Sequence, residues 1–189
     1  AIVTTSLING KGDKKFKRIL ELTRTMANNP SITYNEEVYL SEKSTADKNR
    51  ALAYMMKSRG MIHEDVEDVL DNYFKQCSIE IDTLDLANIG VFIANGCKGL
   101  DNYINVTSGK LNSIILGIMV TSGMYNHSGE YAVEVGIPSK SGVGGGIMAA
   151  IPNKLGIATF APSLDKHNNS SAGQGMMKSL AAKLNLRLF

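Results

Sequence analysis

Residues 142–161 read Gly142-Val143-Gly144-Gly145-Gly146-Ile147-Met148-Ala149-Ala150-Ile151, then Pro152-Asn153-Lys154, then Leu155-Gly156-Ile157-Ala158-Thr159-Phe160-Ala161. Two short apolar runs flank a Pro-Asn-Lys turn, and Gly156 just after that turn fits a hairpin. Gly142–Ile151 and Gly156–Ala161 are therefore strand candidates. Upstream, Glu130–Gly136 is short and rich in Val and Tyr, which makes it a third. Downstream, Gln174–Leu184 puts Met177, Leu180, Ala181 and Leu184 on one side of a helix. Strands grouped together, with helices before and after, define an α+β architecture with an antiparallel sheet. Three strands and one helix look like part of a larger sheet.

Working outward, the first two-thirds of the chain is helical. Asp13 can cap a helix in which Phe16, Ile19, Leu20, Thr23 and Ala27 share a face, ending near Asn28-Asn29-Pro30. Asn35 can cap a second helix containing Val38 and Leu40. A third begins near Asp47, carries Leu52, Met55 and Met56, and stops at Gly60. From Glu64 to Cys77 one face holds Val66, Val69, Leu70, Tyr73 and Cys77. Thr83 starts a helix that ends at Asn95-Gly96, and Asn112–Ser122 forms another, ending at Gly123. Without internal repeats or low-complexity segments, 189 residues predict a single domain over 1–189.

Lys and Arg number 20 against 18 Asp and Glu, a net charge of +2, so neither nucleic acid nor an anionic membrane is indicated as a partner. An apolar content of 43% with so little net charge excludes intrinsic disorder. The longest apolar stretches, Ile114–Val120 and Gly142–Ile151, fall far short of the ~20 residues a membrane span needs. Cys77 and Cys97 sit in apolar helical surroundings and read as reduced core thiols, consistent with a cytoplasmic setting. No basic-then-apolar signal opens the chain.

Several attractive motifs fail. Gly142–Gly146 is not a phosphate loop: no G-K-[ST] follows, and Ile147 stands where G-x-G-x-x-G needs its last glycine. His63, His127 and His167 lack metal-ligand spacing, so neither a metal nor another cofactor is expected. The acidic run Glu64-Asp65 and Glu67-Asp68 suits a helix start, where the macrodipole favours it.

One set of segments is far more specific. Ser122-Gly123-Met124-Tyr125-Asn126-His127-Ser128-Gly129-Glu130 is followed by Val135-Gly136-Ile137-Pro138-Ser139-Lys140-Ser141-Gly142-Val143-Gly144-Gly145-Gly146-Ile147. Ile151-Pro152-Asn153, Ser163-Leu164-Asp165 and Asn168–Ser171 come next. Upstream stand Ser41-Glu42-Lys43 with Asp47-Lys48-Asn49-Arg50-Ala51, and Asp71-Asn72-Tyr73-Phe74-Lys75-Gln76-Cys77-Ser78. In order and spacing these resemble the serine-dependent glutaminase family, whose fold is that of serine β-lactamases and penicillin-binding proteins. Ala1–Leu7 resembles the segment after that family's N-P-x-I-N-A-G motif, so the resemblance covers nearly the whole chain.

The resemblance implies hydrolysis of L-glutamine to L-glutamate and ammonia through a seryl acyl-enzyme. That chemistry needs a nucleophile, an activating base, oxyanion donors and groups that hold the amino-acid head. By resemblance, Glu42 suits the substrate's α-ammonium and Asn49 offers both donor and acceptor to the head group. Tyr73 is implied as a substrate or nucleophile contact, and Tyr125 as a relay or acid/base. Lys140-Ser141-Gly142 matches the Lys-[Ser/Thr]-Gly strand motif, in which a cation and a hydroxyl face the substrate. Val143 is implied as an oxyanion donor through its backbone N–H. Taken singly, Tyr73 reads as a core tyrosine, Tyr125 as a loop residue, Glu42 as a solvated helix charge, Asn49 as a cap and Lys140 as a turn lysine. Only the joint pattern reverses these readings.

The family's nucleophile is the serine of S-x-x-K, with its lysine one helical turn on. Here Ser163-Leu164-Asp165-Lys166 matches by letters but lies after a strand, far from the family's position in chain order. The chain is therefore expected to be the C-terminal part of a longer protein, with part of the sheet and the nucleophile elsewhere. Alone it is expected to show no turnover and marginal folding, because a sheet without its neighbours exposes an edge. A homo-oligomer, dimer or tetramer, is implied by resemblance. Two other readings stay open: a β-lactamase-like amide hydrolase, and a non-catalytic remnant acting by oligomerisation.

Overall fold

The computed structural model describes residues 1–99 and 109–188. Backbone contacts divide the chain into two compact units, Ala1–Thr25 with Asn29–Ile81, and Met26–Asn28 with Asp82–Phe189.

The first unit is helical. It contains α1 (Ile2–Ser6), α2 (Asp13–Ala27, whose last turn falls to the second unit), α3 (Glu36–Ser44), α4 (Asp47–Ser58) and α5 (Val66–Cys77). Asn35 caps α3, its side chain accepting from the Val38 N–H, and Asp65 caps α5 by accepting from Asp68. Each such cap is worth about 1 kcal/mol. Asp13 is the first residue of α2 rather than its cap, and its carboxylate pairs with Lys75. The core gathers Ile2, Tyr39, Ala46, Ala53 and Ile62 around Val66, Val69, Leu70 and Phe74 of α5. The buried stripe of α5 thus runs through 66, 70 and 74. Tyr73 lies half-buried on its flank, and Cys77 is exposed rather than a core thiol: it continues the face of Val66 and Leu70, but it is the last residue of α5 and the core stops at Phe74. Lys15 is wholly buried, and its ammonium pairs with Glu64 at 2.6 Å and donates to the Ser6 carbonyl at 2.8 Å. A two-residue ribbon joins β1 (Thr33–Tyr34) to β2 (Ile79–Glu80), antiparallel. Strands this short carry no periodicity and were invisible in the sequence.

The second unit holds an antiparallel sheet in the order β3 (Ser139–Ser141), β4 (Gly146–Ile151), β5 (Leu155–Phe160), with α6 (Thr83–Ala94), α7 (Gly109–Ser122), α8 (Ser128–Glu134) and α9 (Ser171–Lys183). Strand β4 is buried on both faces. Ile147, Ala149 and Ile151 pack with Tyr131, Val135, Met177 and Ala181, while Met148 and Ala150 pack with Phe92, Ile93 and Met119. Burial on both sides explains its unbroken apolar run. Cys97 is buried as expected.

Two further sequence expectations are corrected. Glu130–Gly136 is not a strand. Residues 128–134 form α8, with Tyr131 buried and Val135, one turn on, buried with it, while Val133 points outward. The Val/Tyr composition suits a strand, but the faces follow a period of four. The start of the predicted 142–151 strand is instead the turn between β3 and β4. Gly145 there has φ +98°, and a Cβ would lie 2.5 Å from the Ala161 carbonyl oxygen.

Helix α6 lies directly on the β4–β5 hairpin because two glycines meet. A Cβ on Gly156 would sit 2.3 Å from the Val91 nitrogen, and one on Gly90 2.6 Å from the Ala149 oxygen. Both obstacles are backbone and cannot rotate aside. Gly156→Ala is expected to cost about 3 kcal/mol or more and to lower the melting midpoint by roughly 6–12 °C in thermal unfolding followed by circular dichroism. An unchanged midpoint would show that α6 does not sit this close. Among the described residues, no helix is long and apolar enough to cross a membrane.

Candidate active site

Three of the predicted residues belong to the first unit. Glu42 is exposed on α3, Asn49 is half-buried near the start of α4, and Tyr73 is half-buried on α5. Cys77 reports on two of them. Although the residue is exposed, partial desolvation of its sulfur pushes the thiol pKa up, a hydrogen bond with Tyr73 one helical turn away works against this, and the Glu42 carboxylate raises it further. Glu42, Tyr73 and Cys77 are thus electrostatic neighbours. Cys77 was not singled out from the sequence as part of a site; the one signal for it is its i+4 spacing from Tyr73.

The other four lie on the second unit. Tyr125 occupies a single 3₁₀ turn, Tyr125–His127, with φ +53°. That conformation is a genuine outlier for a bulky side chain, and it persists only where the surroundings over-determine it. Here they do. The buried Ser128 hydroxyl accepts from the Met124 N–H at 3.0 Å and donates to the Tyr125 carbonyl at 2.8 Å. The Asn169 amide donates to the Met124 carbonyl at 3.2 Å. The turn aims the Tyr125 ring beneath the Lys140 ammonium, 4.7 Å from the ring centroid.

Strand β3 supplies Lys140 and Ser141. Its register sets Lys140 opposite Met148 and Ser141 opposite Ile147, and the Ser141 N–H donates to the Gly123 carbonyl at 2.9 Å. Successive residues point to opposite faces. Lys140 is accordingly exposed beside Tyr125, whereas Ser141 is 1% exposed and its hydroxyl has no hydrogen-bond partner among the described residues. The structure brings Lys140 and Tyr125 together and leaves the Ser141 hydroxyl on the other side of the strand. Val143 follows in the β3–β4 turn, 66% exposed.

The electrostatics of this cluster separate two functions. Burial raises the Tyr125 phenol pKa, and a hydrogen bond from the Val143 backbone N–H opposes the shift. Lys140 is held below the usual lysine value by partial burial. The cation lies over the ring face rather than at the phenol oxygen, so it does not turn Tyr125 into a ready base. A protonated phenol beside a backbone N–H and a lysine is suited to donating a proton.

A pocket elsewhere in this unit is lined by His127, Glu130, Tyr131, Asp165, Gln174 and Lys178, among others. It contains none of Tyr125, Lys140, Ser141 and Val143. Of its lining residues, His127 stacks on His167 with centroids 5.2 Å apart, and Gln174 donates to Asp165 at 2.9 Å. Among the described residues, no group of three or more His, Cys, Asp or Glu could hold a metal ion.

The architecture is the mixed α+β of the serine β-lactamase-like class. It matches the solved structure of a probable glutaminase, ybaS, with a TM-score of 0.94 at 38% identity, over 100% of this chain and 61% of that one. A Bacillus subtilis glutaminase in covalent complex with 5-oxo-L-norleucine, formed from 6-diazo-5-oxo-L-norleucine, matches with a TM-score of 0.94 at 34% identity, over 100% of this chain and 67% of the other. The family profile Glutaminase matches residues 1–189, and the chain belongs to the glutaminase family. It is 54% identical to Glutaminase 2 of Clostridium perfringens and 52% identical to a glutaminase of Clostridioides difficile. All of this chain is matched in both cases, and it spans 62% of the length of either relative.

Proposed function

We propose that the protein hydrolyses the side-chain amide of L-glutamine, giving L-glutamate and ammonia. The observation that carries this reading is the glutaminase family match over residues 1–189. The likeness to a glutaminase structure that holds a covalent 5-oxo-L-norleucine adduct supports the substrate class. The same reading takes 1–189 as one glutaminase domain.

In the proposed reaction a serine oxygen attacks the amide carbon and the carbonyl oxygen becomes an oxyanion, which the Val143 N–H stabilises. The serine's proton passes to the lysine of its own motif, Tyr125 gives its proton to the leaving nitrogen and is reprotonated from that lysine, ammonia departs, and water hydrolyses the glutamyl ester, returning the serine hydroxyl and glutamate. Lys140 keeps the Tyr125 ring in place beneath its ammonium, and Ser141 holds the strand edge from its buried side. Glu42 pairs with the α-ammonium, Asn49 holds the amino-acid head, and Tyr73 contacts the substrate or the nucleophile. The serine belongs to an S-x-x-K motif that has no counterpart at the family's position in these 189 residues. The reading also carries a cytoplasmic location and a homo-oligomer, dimer or tetramer, and light scattering after gel filtration gives the subunit count.

The test is made on the longest product of the gene. Glutamate and ammonia formed in equal amounts from glutamine are expected. A folded protein that releases neither overturns the reading. Stable labelling by a fluorescent penicillin in place of turnover would move the protein to the β-lactamase-like amide hydrolases.

A further inference from the structure

Glu42, Asn49 and Tyr73 sit on three different helices of the first unit, α3, α4 and α5. Apolar packing between helices is non-directional, so by itself it leaves small slides of one helix along another weakly opposed. Hydrogen bonds are directional and fix such a slide. One polar network in this unit has a member beside each of the three residues.

Its centre is the Asp71 carboxylate, two residues before Tyr73. One oxygen, Oδ1, accepts from the Tyr39 hydroxyl at 2.5 Å and from the Lys43 ammonium at 2.6 Å. The other, Oδ2, pairs with Lys75 at 2.8 Å. Lys43, the neighbour of Glu42, also donates to the Tyr39 hydroxyl at 2.9 Å. Its own carbonyl accepts from Arg50, the neighbour of Asn49, at 3.0 Å, and Arg50 lies 3.3 Å from Glu67 on α5. Lys75 reaches Asp13 on α2 at 2.6 Å.

We propose that the Tyr39–Lys43–Asp71–Lys75 network is a positioning device, which locks α3 to α5 so that Glu42 and Tyr73 are held at a fixed spacing for the substrate. The inference rests on the glutaminase reading. Two features distinguish it from an ordinary surface ion cluster. Both carboxylate oxygens of Asp71 are engaged, by donors from two helices, so the carboxylate defines one relative setting of α3 and α5. Lys43 and its pairs are partly exposed, and ion pairs of that kind add little to global stability. Loss of the network therefore moves geometry more than stability. Partial burial works to raise the Asp71 carboxyl pKa, but the hydrogen bonds from Lys43, Lys75 and Tyr39 outweigh it and hold the pKa down at about 2, so the lock stays charged over the whole neutral range.

The test compares variants of the longest gene product. Asp71→Asn keeps the shape and removes the charge. It is expected to lower kcat/KM for glutamine by roughly 10–100-fold, carried mainly by KM, with little change in melting midpoint. Tyr39→Phe removes one donor and is expected to move KM in the same direction by a smaller factor. The double variant is expected to do no more than Asp71→Asn, because both act through one carboxylate. Val66→Ala at the far end of α5 is the stability control, expected to lower the melting midpoint and leave KM in place. An unchanged KM in Asp71→Asn, or a KM that follows the melting midpoint as in the control, overturns the inference. If Asp71→Asn does not fold, Tyr39→Phe decides it by the same criterion. Wild-type protein that does not hydrolyse glutamine fails one step earlier, and overturns the glutaminase reading and this inference together.

Discussion

Tyr125→Phe is expected to lower kcat for glutamine hydrolysis by roughly 10²–10⁴-fold, the range that a lost general acid or base gives. KM should stay within a factor of about three, since the ring remains to fill its place and only the reacting proton is gone. The structure favours a clean result. The Tyr125 phenol oxygen has the Val143 N–H as its resting donor partner, and Val143 stands in an exposed turn, so removing the oxygen leaves that N–H to solvent or to the oxyanion it is proposed to stabilise, not buried without a partner. The backbone of the turn is held by Ser128 and Asn169, not by the phenol, so the strained φ survives the change. Lys140 keeps a ring beneath it. Steady-state kinetics with circular dichroism as the fold control measure the effect. A kcat within a few-fold of wild type would remove Tyr125 from proton transfer and leave Lys140 as the group to test.

What the sequence revealed and what it hid divide along physical lines. Asn35, the Pro152-Asn153-Lys154 turn and β4 were legible because each answers a local demand. Asn35 satisfies an orphan N–H, the turn closes with a Lys154 N–H to Ile151 carbonyl bond at 3.0 Å, and β4 is apolar because both its faces are covered. Ser139–Ser141 carries no hydrophobic alternation, and its strand character comes from pairing with β4, which no local window contains. The same holds for the Thr33–Tyr34 and Ile79–Glu80 ribbon. Glu130–Gly136 misled because composition outweighed period: Tyr131 and Val135 are spaced as a helix spaces them. The candidate site was legible only as a joint pattern, since Glu42, Asn49, Tyr73 and Lys140 each have an ordinary reading alone. The residues around them were not. Asp71 meets Tyr39 and Lys43 from a different helix, and the exposure of Cys77 depends on where α5 ends.

Glu42→Gln is expected to raise KM for glutamine by roughly 30-fold or more, the lower end of the loss when one partner of a desolvated charge pair is removed. The lower end applies because Glu42 is exposed on α3, and solvent screens part of the attraction for an α-ammonium. The substitution keeps the side-chain shape, so kcat should fall much less than kcat/KM. Glutaramate, which is glutamine without its α-amino group, isolates the charge: wild type should discriminate strongly against it, and Glu42→Gln should lose most of that discrimination. A variant that still rejects glutaramate would place the ammonium elsewhere. A second readout needs no substrate. The Glu42 carboxylate raises the pKa of the Cys77 thiol, so neutralising it lowers that pKa and increases the thiolate present at a given pH. Cys77 is exposed and Cys97 is buried, so iodoacetamide reports on Cys77. Alkylation at neutral pH should be faster in Glu42→Gln than in wild type. A raised KM with unchanged alkylation would mean that Glu42 acts on the substrate from further away than its influence on Cys77 implies. Faster alkylation with an unchanged KM would confine Glu42 to the local field of α5 and take it out of substrate binding.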